Sequence, residues 1–525
     1  MKLTYLLERI PYTCVQGNTD IEVTTIINDS RKVTEGCLFF CITGTAFDGH
    51  SVASEVAKQG AKVLIVEKDV EVPENVTIIR VENTRYAMAC ISAAYYGHPA
   101  EKLKVIGVTG TKGKTTTTYM IKSILENAGH KVGLIGTIET IIGETVIPSA
   151  NTTPESMLVQ QYFAEMLEAG CDCVVMEVSS QGLMMHRTAG FIFEIGIFMN
   201  LEPDHIGPNE HASFEEYLDC KAMLFSQCKL GIGNMDDEHF EAIMKNHTCE
   251  LETIGFHENA DLCAKNMELI TGPGYLGVSY DISGKMNMKV EVDVPGKFSV
   301  YNSLTAIAVC RHFGVSEENI KKALKAAKVK GRIEMVKVSD EFTLMIDYAH
   351  NAMSLESLLT TLKEYQPHRL VCLFGCGGNR SKLRRYEMGE VSGRLADLTV
   401  ITSDNPRFEK PEDIVTATVC SKSGLLPIAG VCNGTLTTEY FAKGTVPTDT
   451  CNVHYQGQVC TATGKAAVPT CPYQVPGVLT IPPDEEGNSA IRYCEHTIEY
   501  FSNPSNLPNI AAEQQQMQQQ QQATP

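Results

Sequence analysis

No stretch of about 18 apolar residues occurs in this chain, the length a helix needs to cross a bilayer, so membrane insertion is not expected. Positive charge is in short supply as well. Lys and Arg number 44 against 63 Asp and Glu, a formal −19, which argues against nucleic acid or an anionic membrane surface as the main partner. No secretory leader is expected, because MKLTYLLERIPYT reaches Glu8 and Arg9 before an apolar core can build. Internal repeats are absent. Ligand-spaced cysteines are missing too: those from Cys14 to Cys376 are scattered, and Cys171-x-Cys173 has no partner pair. Buried free thiols in a reducing cytosol are therefore expected, not a metal. What remains is 525 residues, 43% hydrophobic and 20% charged, enough for about three or four globular domains.

The most informative stretch is Val105 to Thr117, VIGVTGTKGKTTT. An apolar β-branched run meets a glycine-rich turn, then Lys114 and a block of threonines. A helical pattern follows, with Met120, Ile121, Ile124 and Leu125 on one face and Gly129 at its stop. Strand, loop, Lys-Thr and helix make a phosphate cradle: backbone N–H groups and the helix N-terminus face an anion, Lys114 adds charge, and a hydroxyl suits Mg²⁺. The bland alternative, a turn without a ligand, does not need Gly110, Gly113, Lys114 and Thr115 in this order. Val108 stands where the common P-loop has its first glycine, so the loop is a variant.

Several further runs converge on this loop. Cys173–Glu177 reads as an apolar strand ending in a carboxylate, well placed for Mg²⁺; an exposed strand end is the alternative. Asn200-Leu201-Glu202-Pro203-Asp204-His205 follows the strand at 195–199, where spacing alone favours an ordinary loop histidine. Lys221, on a helix expected over 215–225, reads as a snorkelling surface lysine. Thr153 reads as an N-cap and Pro154 as the first residue of a helix at 155–169, while Asn151 and Thr152 suit an anionic ligand there. Asp347-Tyr348-Ala349-His350 follows the strand at 343–346. Gly375–Arg380 follows the strand at 370–374, with Arg380, Lys382, Arg384 and Arg385 forming either a solvated charge run or an anion site. A further strand is expected at 398–402. Alternating strands and helices of this kind are a doubly wound α/β arrangement.

GTKGKTTT, NTTPE, MEVSS, NLEPDHIG, DYAH, GCGGNR and SDNPR, in this order, resemble the Mur ligases, and among them the MurE type, over residues 1 to about 413. The resemblance implies an α/β three-domain Mur ligase architecture: residues 1–100 for the UDP-substrate, a central P-loop ATPase domain at 101–330, and a truncated Rossmann-like third domain at 331–413. It implies a cytoplasmic, monomeric enzyme that uses ATP and Mg²⁺ to join meso-diaminopimelate to UDP-N-acetylmuramoyl-L-alanyl-D-glutamate in peptidoglycan precursor synthesis. Closure of the domains on the substrates is expected.

Carried over by position, ATP would be held by Gly110, Thr111, Lys112, Gly113, Lys114, Thr115 and Thr116, with Asn302, Arg332 and Asp347. Metal ligands would be Thr115, Glu177 and His205. Lys221 matches the family's carbamylated lysine, which overturns the snorkelling reading. The UDP-substrate would meet Ser30 and Arg31, then Asn151, Thr152, Thr153, Ser179 and Arg187. Arg385, Asp404, Asn405 and Arg407 would hold the amino acid, and Asp404-Asn405-Pro406-Arg407 is the form associated with meso-diaminopimelate rather than L-lysine. There are departures. Gln181 replaces a frequent His, Ile206–His211 replaces an acidic run, Asn351-Ala352 replaces Thr-Pro, and Asn379 replaces an Asp.

After about Ile414 the texture changes to Pro, Thr, Gly and Cys, ending in the Gln-rich run 514–522, which should be disordered. The family's Gly-Lys-Gly-His-Glu stretch is absent. Through Cys420–Leu425, Thr438–Thr445 and Cys451–His454, residues 414–525 are instead similar to the end of a class A penicillin-binding protein, without its Ser-x-x-Lys or a Lys-Thr-Gly on an inner strand, and are expected to be largely irregular. The six cysteines from Cys420 to Cys494 suit an oxidising compartment. A gene fusion or a misassembled sequence would each produce such a junction. It should leave the third domain's sheet with an uncovered edge and an incomplete amino-acid site, so an ATP- and UDP-muropeptide-binding protein without ligase activity and an L-lysine-adding ligase stand as alternatives.

Overall fold

Strand Lys104–Thr109 carries side chains that alternate in the way a strand buried on both faces requires. Ile106 and Val108 enter one apolar cluster and Val105 enters the other. The same alternation divides Cys173 and Val175 from Val174 and Met176 in the neighbouring strand Cys173–Glu177. The computed structural model describes residues 1–419, apart from 45, 46, 205, 208, 209, 273, 327, 328, 330, 337 and 340, and the backbone of 426–432 and 435–441. It divides into two compact units, Met1–Ile346 and Asp347–Pro525.

The first unit holds two large sheets. Five strands between Thr13 and Arg80 form the smaller one, parallel except for Thr13–Gln16, with apolar clusters on both faces. Helix Thr84–Tyr95, capped by the Asn83 side chain on Tyr86 N at 2.9 Å, follows it. The larger sheet has eleven strands, and Lys104–Thr109 lies inside it between Phe193–Phe198 and Cys173–Glu177. Both neighbours run parallel to it. From Lys104–Thr109 the chain passes through helix Lys114–Asn127 to Val132–Ile135, then returns to fill the gap with Cys173–Glu177. Only afterwards does it place Phe193–Phe198 on the other side. That reversal of strand order opens a crevice at the carboxyl ends, where doubly wound sheets bind ligands. Helix Lys114–Asn127 buries Met120, Ile121, Ile124 and Leu125 completely, each worth about 1.5–3 kcal/mol. The loop is thus anchored behind by a rigid helix.

In the second unit, Val371–Cys376 and Leu398–Ser403 pair in parallel, flanked by helices Ala352–Glu364, Lys382–Leu395 and Pro411–Val419. The bare edge expected beside Leu398–Ser403 is not found. Thr435–Phe441 pairs antiparallel with it and forms a hairpin with Leu426–Cys432, satisfying backbone groups that an open edge would leave unpaired. Backbone pairing is thus described at 426–432 and 435–441, within the segment expected from sequence to be largely irregular. Of the residues carrying the penicillin-binding-protein resemblance, Cys420–Leu425 and those after 441 lie outside the described residues, as does the Gln-rich end.

Candidate active site

The phosphate loop is built on two glycines with positive φ, Gly110 at +152° and Gly113 at +84°. A Cβ on Gly113 would sit 2.6 Å from Asn302 Oδ1, and one on Gly110 would sit 2.9 Å from Met199 Cβ. Only glycine fits, and the loop backbone stays open to a ligand. Gly113 is also the N-cap of Lys114–Asn127 and offers no side chain to its N–H groups, so the first turn is available to an anion. Asn200 braces the loop from the next strand end: its Oδ1 accepts from Lys112 N at 2.8 Å and its Nδ2 donates to Lys112 O at 3.1 Å. Lys112 pairs with Glu202 at 2.6 Å. Thr111 Oγ1 lies 2.9 Å from Tyr217 Oη, and Thr116 follows on the helix.

Lys114 Nζ donates to Gly110 O at 2.8 Å and Thr111 O at 3.0 Å. Burial lowers its pKa; Glu177 and Asp204 pull the other way, and Arg332 adds to the lowering. Arg332 is thus within electrostatic reach of Lys114. Asn302, on helix Lys297–His312, accepts from Thr117 Oγ1 at 3.3 Å.

Glu177 is 1% exposed and fully bonded. Thr115 Oγ1 reaches its two oxygens at 3.0 and 3.1 Å, Thr137 N donates at 2.8 Å, and Thr137 Oγ1 donates at 3.0 Å. A hydroxyl and a carboxylate held against each other are hard oxygen donors, so Thr115 and Glu177 fit Mg²⁺. Thr137 went unassigned by sequence, and its only signal is its place just after Val132–Ile135. It also links Glu177 to the substrate-side hydroxyls, since its Oγ1 lies 3.0 Å from Thr152 Oγ1.

Thr153 is not the N-cap its sequence suggested. Helix Ser156–Glu168 begins later, with Glu155 before it and no side-chain cap. Thr153 Oγ1 instead donates to Glu177 O at 2.9 Å and accepts from Ser179 N at 3.0 Å. A buried hydroxyl beside a strand end gains more from two backbone partners there than from a helix end. Ser179 Oγ caps the next short helix through Gly182 N at 3.0 Å. Arg187 donates to Thr153 O at 3.1 Å and pairs with Glu155 at 2.6 Å. Asn151 is exposed at this rim.

Lys221 is 2% exposed, on helix Phe214–Ala222, so the surface reading from spacing is corrected. Its Nζ donates to Gly110 O at 3.0 Å and lies 4.6 Å from the Tyr217 ring centroid. Burial first, then Lys114, push its pKa well down, while Asp204 opposes them. His205 lies outside the described residues. In the departing run that follows, His211 is buried with Nε2 2.8 Å from Ser180 Oγ.

Ser30 and Arg31 lie on a short 3₁₀ turn of the smaller sheet, Arg31 forked onto Asp29 at 2.8 Å through both Nε and Nη2. No described contact joins them to the loop. In the second unit, Asp347 Oδ1 accepts from Ala349 N at 2.8 Å. Asn405 O accepts from Gly378 N at 2.8 Å, and Asn405 Oδ1 accepts from Arg407 N at 3.2 Å. This brings the GCGGNR and SDNPR loops together, with Asp404 and Arg407 exposed and Arg407 at φ +51°. Arg385 is different from its basic neighbours. It is 1% exposed and donates to Glu409 at 2.9 Å, holding that carboxyl below its ordinary pKa. It braces this loop pair instead of standing open to an amino acid, because a guanidinium so deeply buried needs a carboxylate partner.

Comparison with known proteins agrees with this geometry. The Mur ligase middle domain model matches residues 108–310, the Mur ligase glutamate ligase domain 331–434, and the Mur ligase family catalytic domain 22–96. The UDP-N-acetylmuramoyl-L-alanyl-D-glutamate–2,6-diaminopimelate ligase 1 of Clostridium acetobutylicum is 42% identical over 419 residues, 79% of this chain and 86% of that protein. The chain belongs to the MurE branch of the Mur ligases. The corresponding ligase of Clostridium perfringens is 39% identical over 79% of this chain and 86% of its own length. A solved structure of a ligase of the same description superposes with a TM-score of 0.63 at 25% identity, covering 80% of this chain and 85% of that one. The glutamate ligase domain match runs to 434, so Mur ligase sequence, like regular structure, extends beyond Ile414. No helix among the described residues is long and apolar enough to cross a membrane.

Proposed function

We propose that this Mur ligase joins meso-diaminopimelate to the D-glutamate γ-carboxylate of UDP-N-acetylmuramoyl-L-alanyl-D-glutamate, at the expense of ATP, in the cytoplasm. The observation that carries the reading is the convergence of Lys114, Thr115, Glu177 and Lys221 on the Gly110–Thr115 loop, within a chain so similar to ligases of that description. A carboxylate does not acylate an amine at neutral pH, because its oxygen is a poor leaving group. Transfer of the γ-phosphoryl of ATP onto the carboxylate gives an acyl phosphate; the amine attacks its carbonyl carbon, and phosphate leaves. In this reading Lys114 and the first turn of its helix stabilise the charge on the transferring phosphoryl group. Thr115 and Glu177 would hold Mg²⁺, which when bound supplies further neutralisation of phosphate charge.

Lys221 has a second task. An amine whose proton affinity is lowered by burial is neutral enough to add carbon dioxide, and the carbamate so formed is a carboxylate. That places an anion beside Gly110 where the unmodified amine is a hydrogen-bond donor. Thr152, Thr153, Ser179 and Arg187 orient the sugar peptide on the far side of Glu177, and Asp404, Asn405 and Arg407 read the amine. Free thiols throughout Cys14–Cys376 agree with a reducing compartment. The test is phosphate release from ATP with the UDP-dipeptide, with and without meso-diaminopimelate or L-lysine. Release should depend on meso-diaminopimelate, and Arg407→Ala should raise the KM for it about tenfold or more, as expected for loss of one charge-assisted contact. Amine-independent release would leave the nucleotide-binding reading, and a preference for L-lysine would replace the substrate.

A further inference from the structure

The turn after strand Val132–Ile135 joins the two sides of the site. Residues 136–138 connect that strand to Glu139–Ile142 in a tight antiparallel hairpin, with Ile135 opposite Thr140. Gly136 N donates to Glu139 O at 3.2 Å across it. Both flanks of the hairpin are anchored. Tyr119, on the helix behind the phosphate loop, donates from Oη to Glu139 Oε1 at 2.9 Å. Ser149 N, just before the Asn151–Thr153 run, donates to Ile138 O at 3.3 Å. A Cβ on Gly136 would stand 2.6 Å from Glu177 Oε1, so glycine is what lets this backbone approach the carboxylate so closely.

Thr137 sits at the tip, half-buried. Its N–H and O–H both donate to Glu177, one to each oxygen. The other bonds to Glu177 come from Thr115, which already has a task toward Mg²⁺ and ATP. The two Thr137 bonds are therefore the hold on Glu177 that no other role claims. The same hydroxyl lies 3.0 Å from Thr152 Oγ1. A carboxylate only accepts, and a hydroxyl carries a single proton. Thr137 thus gives its proton to Glu177, and Thr152 must donate to Thr137. The bonds run one way, from Thr152 through Thr137 to Glu177, and each polarises the next. Thr152 is left with lone pairs alone for a ligand, so it meets the substrate as an acceptor, whereas its place in sequence suggested a donor to an anion.

We propose that Thr137 is a positioning residue for the ligase reaction, and that its hydroxyl couples the substrate side of the site to the metal side. The coupling rests on the function proposed for this site and deepens it. Thr137 acts through Glu177 and Thr152. Its two donors fix the rotation of the Glu177 carboxylate, so that its oxygens are oriented before a cation arrives. Its lone pair fixes the Thr152 hydroxyl, whose own lone pairs then select an N–H or O–H of the sugar peptide. A substrate group donating to Thr152 strengthens the same one-way chain and reaches Glu177 through Thr137.

The test is a double-substitution cycle on the full chain with Thr137→Val and Thr152→Val, which keep side-chain shape and remove the hydroxyl. Titration calorimetry in magnesium-free buffer gives the affinity for the UDP-dipeptide. Phosphate release with meso-diaminopimelate at fixed ATP gives the half-saturating Mg²⁺ concentration. Thr152→Val should weaken UDP-dipeptide binding about fivefold and Thr137→Val about threefold, the scale of losing or loosening one hydrogen bond. The double variant should be no weaker than Thr152→Val by more than about twofold, because the two residues act in one chain. Thr137→Val should raise half-saturating Mg²⁺ about threefold or more, as expected for a hydrogen bond to a charged group. Thr152→Val should raise it about twofold alone and leave it unchanged when added to Thr137→Val, the signature of coupled neighbours. Thr137→Ser, which keeps the hydroxyl, should match wild type in both measurements. If Thr137→Val does not fold, the effect of Thr152→Val on the Mg²⁺ requirement decides. Additive losses, a Mg²⁺ requirement indifferent to Thr152→Val, or a Thr137→Ser as impaired as Thr137→Val overturns the coupling and leaves the ligase reading standing. A wild type that binds no UDP-dipeptide overturns both.

Discussion

The two ends of strand Lys104–Thr109 solve opposite problems. At the carboxyl end Glu177 makes four hydrogen bonds to Thr115 and Thr137, and Lys114 and Lys221 are held on loop carbonyls. At the amino end the Gln160 amide has no partner. A site that transfers a phosphoryl group gains from donors and charges fixed before the substrate arrives, because no reorganisation is then required during reaction. The amino end carries no such demand, and a buried amide is left there without a fixed partner. The same strand, buried on both faces, supports both because its core is indifferent to what stands at either end.

That contrast can be broken in four ways, the largest first. Lys114→Met should cut amine-dependent phosphate release about 10³-fold, the scale of losing one preorganised charge-stabilising donor; a fall of less than tenfold would remove Lys114 from the chemistry. Gly113→Ala should destabilise the first unit by about 1–3 kcal/mol, since alanine at φ +84° is strained and its Cβ meets Asn302. Denaturant titration reads this, and an unchanged midpoint would mean the loop is softer than its geometry.

Lys221 gives the third test, through pH. Its pKa in the fold lies well below 10.5, so between the two values the unfolded chain holds a proton that the folded chain has released. Stability therefore rises with pH across that window. Lys221→Met removes the penalty: in bicarbonate-free buffer it should melt a few degrees above wild type at pH 7, on the order of 2–4 °C per kcal/mol, with the margin closing towards pH 10. A margin independent of pH would contradict the assigned burial. Smallest of all, Ile192→Trp at the other strand end should leave phosphate release within twofold of wild type, and a larger drop would mean the two ends are coupled.

Much of this arrangement was legible because it rests on local pattern. The loop strand, Cys173–Glu177 and the helix after Lys114 follow from apolar alternation and glycine placement, and the structure moves their bounds by a residue or two. What spacing could not give is depth. Lys221 has ordinary helical neighbours in sequence, and only the approach of Phe214–Ala222 to the loop buries it. Thr153 looks like a cap because it precedes Pro154, yet the end of Cys173–Glu177, distant in sequence, claims its hydroxyl. Arg385 sits in a basic run, and its carboxylate, Glu409, arrives from another loop. Thr137 carried no motif at all. The tail was the least legible part: its composition carries no periodicity from which the strands paired at the edge of Leu398–Ser403 could be read, because backbone pairing there depends little on composition.

One oxygen, the Gly110 carbonyl, accepts from both Lys114 and Lys221. Lys114 has thus already been stripped of much of its water by folding and hung on its own loop. An arriving phosphate trades places with a peptide oxygen rather than with a hydration shell, so docking is an exchange of partners, and the dehydration of that cation is charged to folding instead of to binding.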